Sequence, residues 1–137
     1  MSVVTELLRT EEDGTLSFGN YELAKKTKLE DYEFQGDLYK VKTFNEITKL
    51  EKNGMFLYES VPGTSVTNMQ LDEKGLSFTV EGPEDAQITV GLEDSTEYEV
   101  EIDGVDAGSD KTNMGGKLSL SVELEPQKQI HVVIKKK

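Results

Sequence analysis

Apolar and polar side chains alternate with period two through the second half of the chain, the mark of strands with one buried face. Leu76, Phe78 and Val80 share a face in GLSFTVEG, and Ile88, Val90 and Leu92 do so in AQITVGL. TEYEVEID turns Tyr98, Val100 and Ile102 one way and Glu97, Glu99, Glu101 and Asp103 the other. GKLSLSVEL aligns Leu118, Leu120, Val122 and Leu124, and QIHVVIK aligns Ile130, Val132 and Ile134 while pointing His131 outward. Gly, Asp, Pro or Asn separates each pair of segments, and short strands at this spacing predict a β-sandwich.

The first half is less regular. LSFGNYEL reads as a strand kinked at Gly19, and LYKVKTF places Tyr39 and Val41 on one face. In ITKLEKNGMFLYES, Asn53-Gly54 supplies the two positive-φ positions of a type I′ turn, so the segment reads as a hairpin with Leu50 opposite Leu57. Phe44, Ile47 and Leu50 also fit helical spacing. Val3, Val4, Leu7 and Leu8 predict a short amphipathic helix capped by Ser2 and stopped near Gly14. Residues 24–36, with LEDYEF at 29–34, have no clear assignment. SVPGTS at 60–65 is the one candidate linker. The expected organisation is therefore all-β: a small β-rich N-terminal region over residues 1–64, carrying the short helix, packed on an immunoglobulin-like β-sandwich over residues 65–137.

Charge changes the picture more than composition does. The 137 residues carry a net charge of −12. Residues 72–110 hold 13 acids against the single Lys74, so that segment accounts for the whole excess. Such a field repels nucleic acid and anionic membranes and favours cations or a basic partner, although exposed strand faces also carry acids simply for solubility. No apolar run reaches the roughly 18 residues of a membrane helix, so no membrane insertion is expected. The N-terminal stretch has no basic region and meets acids by residue 6. It does not read as a signal peptide, and a cytoplasmic location is expected.

The chemistry the residues offer is sparse. With no cysteine, thiolate catalysis and thiolate metal sites are excluded. In EVEIDGVDAGSD the frame counted from Asp103 fails the pattern of a helix-flanked calcium loop. Asp103, Asp106 and Asp110 remain weak candidate ligands for calcium, against the plainer reading that Asp103-Gly104 ends a strand and a loop follows. His131 is the only histidine. It cannot form a multi-histidine metal site, and no G-x-S-x-G elbow supplies a nucleophile, so it reads as a surface residue. With 27 acids, two close together are expected by chance, so no carboxylate pair stands out for glycoside chemistry. NMGGK at 113–117 lacks the spacing of a phosphate loop and reads as a turn. Lys135, Lys136 and Lys137 read as guards of an edge strand.

Two resemblances accompany this reading. YEVEIDG, KTN, GKLSLSVEL and the closing strand resemble the immunoglobulin-like or fibronectin-type repeats of bacterial proteins over residues 65–137, which implies an accessory or binding module. ELLRTEEDGTLSFGNYEL through YKVKTFNEITKLEKNGMFLYESVPG resembles small bacterial proteins known as endosialidase-like, which implies sialic-acid chemistry. Sialidases hold the substrate carboxylate with clustered arginines, whereas this chain has Arg9 alone. The expected function is thus a non-catalytic protein-interaction or assembly module without cofactor. It would use a protein partner or self-association, and its working surface would be the acidic stripe Glu97, Glu99, Glu101 and Asp103. The alternative is a carbohydrate- or cell-surface-binding accessory domain, favoured if exposed tyrosines cluster. A glycan-active enzyme comes third.

Overall fold

The computed structural model describes residues 3–137 and is built entirely of strands and turns, with no helix among the described residues. Thirteen strands form two antiparallel sheets. The larger runs β1 (Leu8–Thr10), β2 (Leu16–Phe18), β7 (Ser65–Asp72), β8 (Gly75–Glu81), β13 (Ile130–Lys136), β10 (Glu97–Ile102) and β11 (Val105–Lys111) in spatial order. The smaller runs β12 (Lys117–Val122), β9 (Ala86–Gly91), β6 (Met55–Val61), β5 (Ile47–Lys52), β4 (Asp37–Phe44) and β3 (Thr27–Phe34). Strands from both sides of residue 64 share each sheet, because β2 pairs with β7 and β6 pairs with β9.

The inward-facing residues of both sheets meet in a single core. At its centre Tyr58 of β6 stands edge-on to Phe18 of β2 at 5.2 Å and to Phe78 of β8 at 5.6 Å. All three rings are fully buried. Edge-to-face contact sets the positive rim of one ring against the negative face of another, adding about 0.5–1.5 kcal/mol per pair beyond area burial.

A buried hydroxyl network joins the β4–β5–β6 side of the core to the crossing between sheets. The Tyr58 hydroxyl lies 2.8 Å from Thr64 Oγ1, and Ser60 Oγ lies 2.7 Å from the same atom. Thr48 Oγ1 donates to the Thr64 carbonyl at 2.7 Å and accepts from the Thr64 N–H at 3.1 Å. Ser65 Oγ donates to the Gly19 carbonyl, tying the crossing to the end of β2. Where β6 leaves one sheet and β7 enters the other, the backbone has no ladder partner. There Thr48 satisfies both the N–H and the carbonyl of Thr64, and the Gly63 N–H donates to the Asn45 carbonyl.

Several sequence expectations require correction. The helix expected over Val3 to Leu8 is absent: Leu7 adopts φ 75°, outside the helical region, and Leu8 opens β1. Its expected cap, Ser2, lies outside the described residues. The Asn53-Gly54 turn forms with φ 51° and 79°, but Leu50 pairs with Tyr58 rather than Leu57. A bulge between Leu50 and Glu51 places an extra residue in β6, so Leu57 and Tyr58 are both buried. The helical alternative for Phe44, Ile47 and Leu50 gives way to β4 and β5, in which Phe44 faces Ile47 across the pair. LEDYEF falls within β3, and the segment after Asp103-Gly104, expected as a loop, is the edge strand β11.

Burial of phenols makes the fold sensitive to alkali. Desolvation, followed by the Glu81 carboxylate that accepts its hydrogen bond, pushes Tyr21 up to about 12, and burial raises Tyr58 and Tyr39 as well. These folded-state values exceed the ordinary phenol value of 10.0, so the neutral phenols stabilise the fold fully below pH 10. That contribution falls as pH rises from 10 towards about 12, because the unfolded chain sheds these protons first. Urea unfolding followed from pH 8 to 11 is expected to show stability falling above about pH 10. A flat profile would contradict this account.

Candidate functional site

The predicted acidic stripe forms, but it is not bare. Glu97, Glu99 and Glu101 are exposed on β10, alternating with buried Tyr98 and Val100. Register places Lys111 of β11 opposite Glu97 and Lys135 of β13 opposite Glu99. Lys137 Nζ approaches the Glu97 carboxylate at 3.9 Å, and Lys136 pairs with Glu93. Cross-strand pairs of opposite charge stabilise a sheet. The charges of Glu97 and Glu99 are therefore compensated within the sheet itself, while Glu101 has no lysine opposite it.

Asp103 has a structural role here. It adopts φ 53° at the β10–β11 turn, and its carboxylate accepts the His131 N–H at 2.9 Å while its own N–H donates to the His131 carbonyl. Asp106 lies opposite Glu101, and Asp110 lies opposite Tyr98. Directly opposed residues project to the same side of a sheet, so Asp106 shares the outward face and Asp110 the inward one. Opposite Val100 the edge strand carries an extra residue between Asp106 and Ser109, which flips the alternation of β11. Asp106 and Asp110 also spend an oxygen each on the backbone N–H groups of Gly108 and Lys111. Among the described residues no group of three or more His, Asp or Glu side chains is placed to hold a metal ion.

His131 is exposed on β13, its Nδ1 3.2 Å from the Thr79 hydroxyl. The tyrosines form no exposed platform. Tyr39, Tyr58 and Tyr98 are buried, and Tyr21 and Tyr32 are half-buried with their hydroxyls engaged by Glu81 and Thr10.

The feature that sequence reasoning missed lies on the other sheet. Val41 and Thr43 are completely buried, so Lys42 between them points out of the sandwich. Register sets Lys28 of β3 and Lys49 of β5 directly opposite Lys42 on either side. Three ammonium groups thus stand in one row across three adjacent strands, with Glu59 of β6 next in line. Lys40, one step along β4, lies 3.5 Å from Glu30, and Lys49 lies 3.7 Å from Glu51. Lys28 and Lys42 make no ion pair among the described residues. The four lysines and Glu51 surround a small depression of about 50 Å³. Desolvation, followed by repulsion from Lys26, Lys49, Lys28 and Lys40, lowers the Lys42 amine from its ordinary value. On the same outer face, two residues along from Lys42 and Lys49, Phe44 faces Ile47, and both are half-exposed. Val61, at the end of β6, is 53% exposed.

Like charges directly opposed across strands destabilise a sheet. A row of three is a local cost that a face used only for solubility would avoid by alternating signs. The only sequence signal was lysines on outward positions of separate strands, and only the register turns them into a row.

No family model, curated protein or solved structure matches the chain. The functional reading therefore rests on the molecule's own geometry.

Proposed function

We propose that this protein is a non-catalytic interaction module whose working surface is the outer face of β3, β4 and β5, and that its partner is an acidic protein segment. The observation that carries this reading is the row Lys28–Lys42–Lys49, in which Lys28 and Lys42 make no ion pair among the described residues and only Lys49 has a carboxylate, Glu51, beside it. An incoming carboxylate removes that repulsion, so the cost in the free protein becomes affinity in the complex. The neighbouring Phe44–Ile47 pair and Val61 favour a polypeptide with apolar side chains among its acids. A nucleic acid fits less well, since its phosphate backbone offers no apolar side chains to the Phe44–Ile47 pair and Val61. An immunoglobulin-like architecture for residues 65–137 belongs to the same reading. Its support is that these residues supply seven antiparallel strands divided between the two sheets.

Lys42→Glu tests the proposal on two sides. It converts two like-charged pairs into opposite-charged ones and is expected to stabilise the free protein by about 0.5–1 kcal/mol. Binding of a synthetic polyglutamate peptide, measured by calorimetry, is expected to weaken steeply with salt in the wild type and to vanish in the variant. If the variant binds the peptide as well as the wild type, the lysine row is not the working surface.

A further inference from the structure

At the end of the sandwich occupied by the β1–β2 and β3–β4 turns the two sheets part, leaving an open cleft of about 500 Å³. That lies within the roughly 300–1,000 Å³ typical of small-molecule sites. Its floor is apolar, formed by Leu16, Phe34, Tyr39, Leu57 and Met69, all less than a tenth exposed. Phe34 and Tyr39 hold each other edge-to-face at 5.7 Å, which fixes the ring surfaces. The rim is polar: Asp13 and Thr15 on one lip, Gln35 and Asp37 on the other, Lys52 at the side.

Most of the rim is held in place before any ligand arrives. Gln35 Nε2 donates to the Gly14 carbonyl at 3.2 Å, bridging the turns of the two sheets across the cleft mouth. Asp13 accepts from the N–H of Thr15 at 3.0 Å, and Asn68 Nδ2 lies 3.1 Å from the Thr15 hydroxyl. Asn53 Nδ2 donates to Asp37 at 2.8 Å, and Lys52 lies 3.6 Å from the other Asp37 oxygen. Gln35, Asn53 and Asn68 all adopt positive φ without being glycine. Strained backbone of this kind gathers where side chains must be aimed. Gln70 lies opposite Ser77 and projects to the outer face of the larger sheet, so it borders the cleft through its backbone.

The geometry points to a binding site for a neutral, polyhydroxylated ring, a monosaccharide or disaccharide unit. An apolar floor suits the C–H face of such a ring, and carboxylate, amide and hydroxyl groups around it suit its hydroxyls. A purely apolar ligand would leave the rim carboxylates desolvated and unpaired. An anionic one would meet two carboxylates against one ammonium, and that ammonium already pairs with Asp37. This site is separate from the lysine row and stands whether or not that surface binds a partner.

The test uses the full chain and amide chemical shifts, with glucose, N-acetylglucosamine and lactose as neutral probes and N-acetylneuraminic acid as the anionic comparison. A neutral probe is expected to shift the amides of Gly14, Thr15, Gln35 and Gln70. Lys52→Met is expected to weaken binding about fivefold, the equivalent of one ordinary hydrogen bond, with little change in Tm, because its part-exposed ion pair with Asp37 contributes little to stability. Lys42→Glu is expected to leave sugar binding unchanged. The assignment is overturned if no neutral probe moves these amides at tens of millimolar, if only the anionic sugar does so, or if Lys52→Met binds like the wild type.

Discussion

Phe78→Ala is expected to cost about 3–5 kcal/mol, a large share of the roughly 5–15 kcal/mol that holds a domain of this kind folded. Phe78 is fully buried on β8, opposite Val132 of β13, and edge-on to Tyr58 across the sheets. Truncation removes its apolar area from the core, leaves a cavity and frees one edge of the Tyr58 ring. The neighbours cannot collapse into the space without moving two sheets whose ladders fix their spacing. Thermal unfolding should show a fall in Tm on the order of 10–20 °C. Phe44→Ala, on the half-exposed outer face, should cost much less. Equal losses at the two positions would show that the core is not centred where the three rings meet.

Thr64→Val is the second large effect, and it comes from polar groups. Valine keeps the shape and removes one hydroxyl, yet that hydroxyl serves both Tyr58 and Ser60 in a region with no exposure. Two buried hydroxyls then lose a partner at once, and the expected cost is about 2–4 kcal/mol. Adding Tyr58→Phe to Thr64→Val should recover part of the loss, because removing both ends of a buried hydrogen bond is cheaper than removing one. Urea unfolding of the two single variants and the double variant closes the cycle. A double variant as unstable as the sum of the singles would mean the two hydroxyls are not coupled.

The all-β class was legible because alternation with period two survives wherever a strand buries one face, as in β8, β9, β10, β12 and β13. It failed where a bulge breaks the period. β7 reads as irregular because Asn68, at φ 56°, inserts a step between Val66 and Met69, both buried. β3 is disrupted in the same way at Asp31, φ 56°. β11 gave no signal because every residue in it is exposed, so no alternation is demanded of VDAGSDK. The acidic stripe was visible because its members sit two apart on one strand. The lysine row was not, because Lys28, Lys42 and Lys49 become neighbours only through the pairing of three strands. The compensation of Glu97 and Glu99 by Lys111 and Lys135 was hidden for the same reason.

The position of β13 bears on how the molecule is made. It lies between β8 and β10, near the middle of the larger sheet, although it follows the other twelve strands of the described residues in the chain. Until residues 130–136 have left the ribosome, β8 and β10 each have an open edge, and the rings around Phe78 lack their cover from Val132. Non-local pairing of this kind folds slowly, and a chain waiting with open edges is exposed to association with its neighbours. The nascent chain is therefore open to association with other copies until β13 has joined the larger sheet.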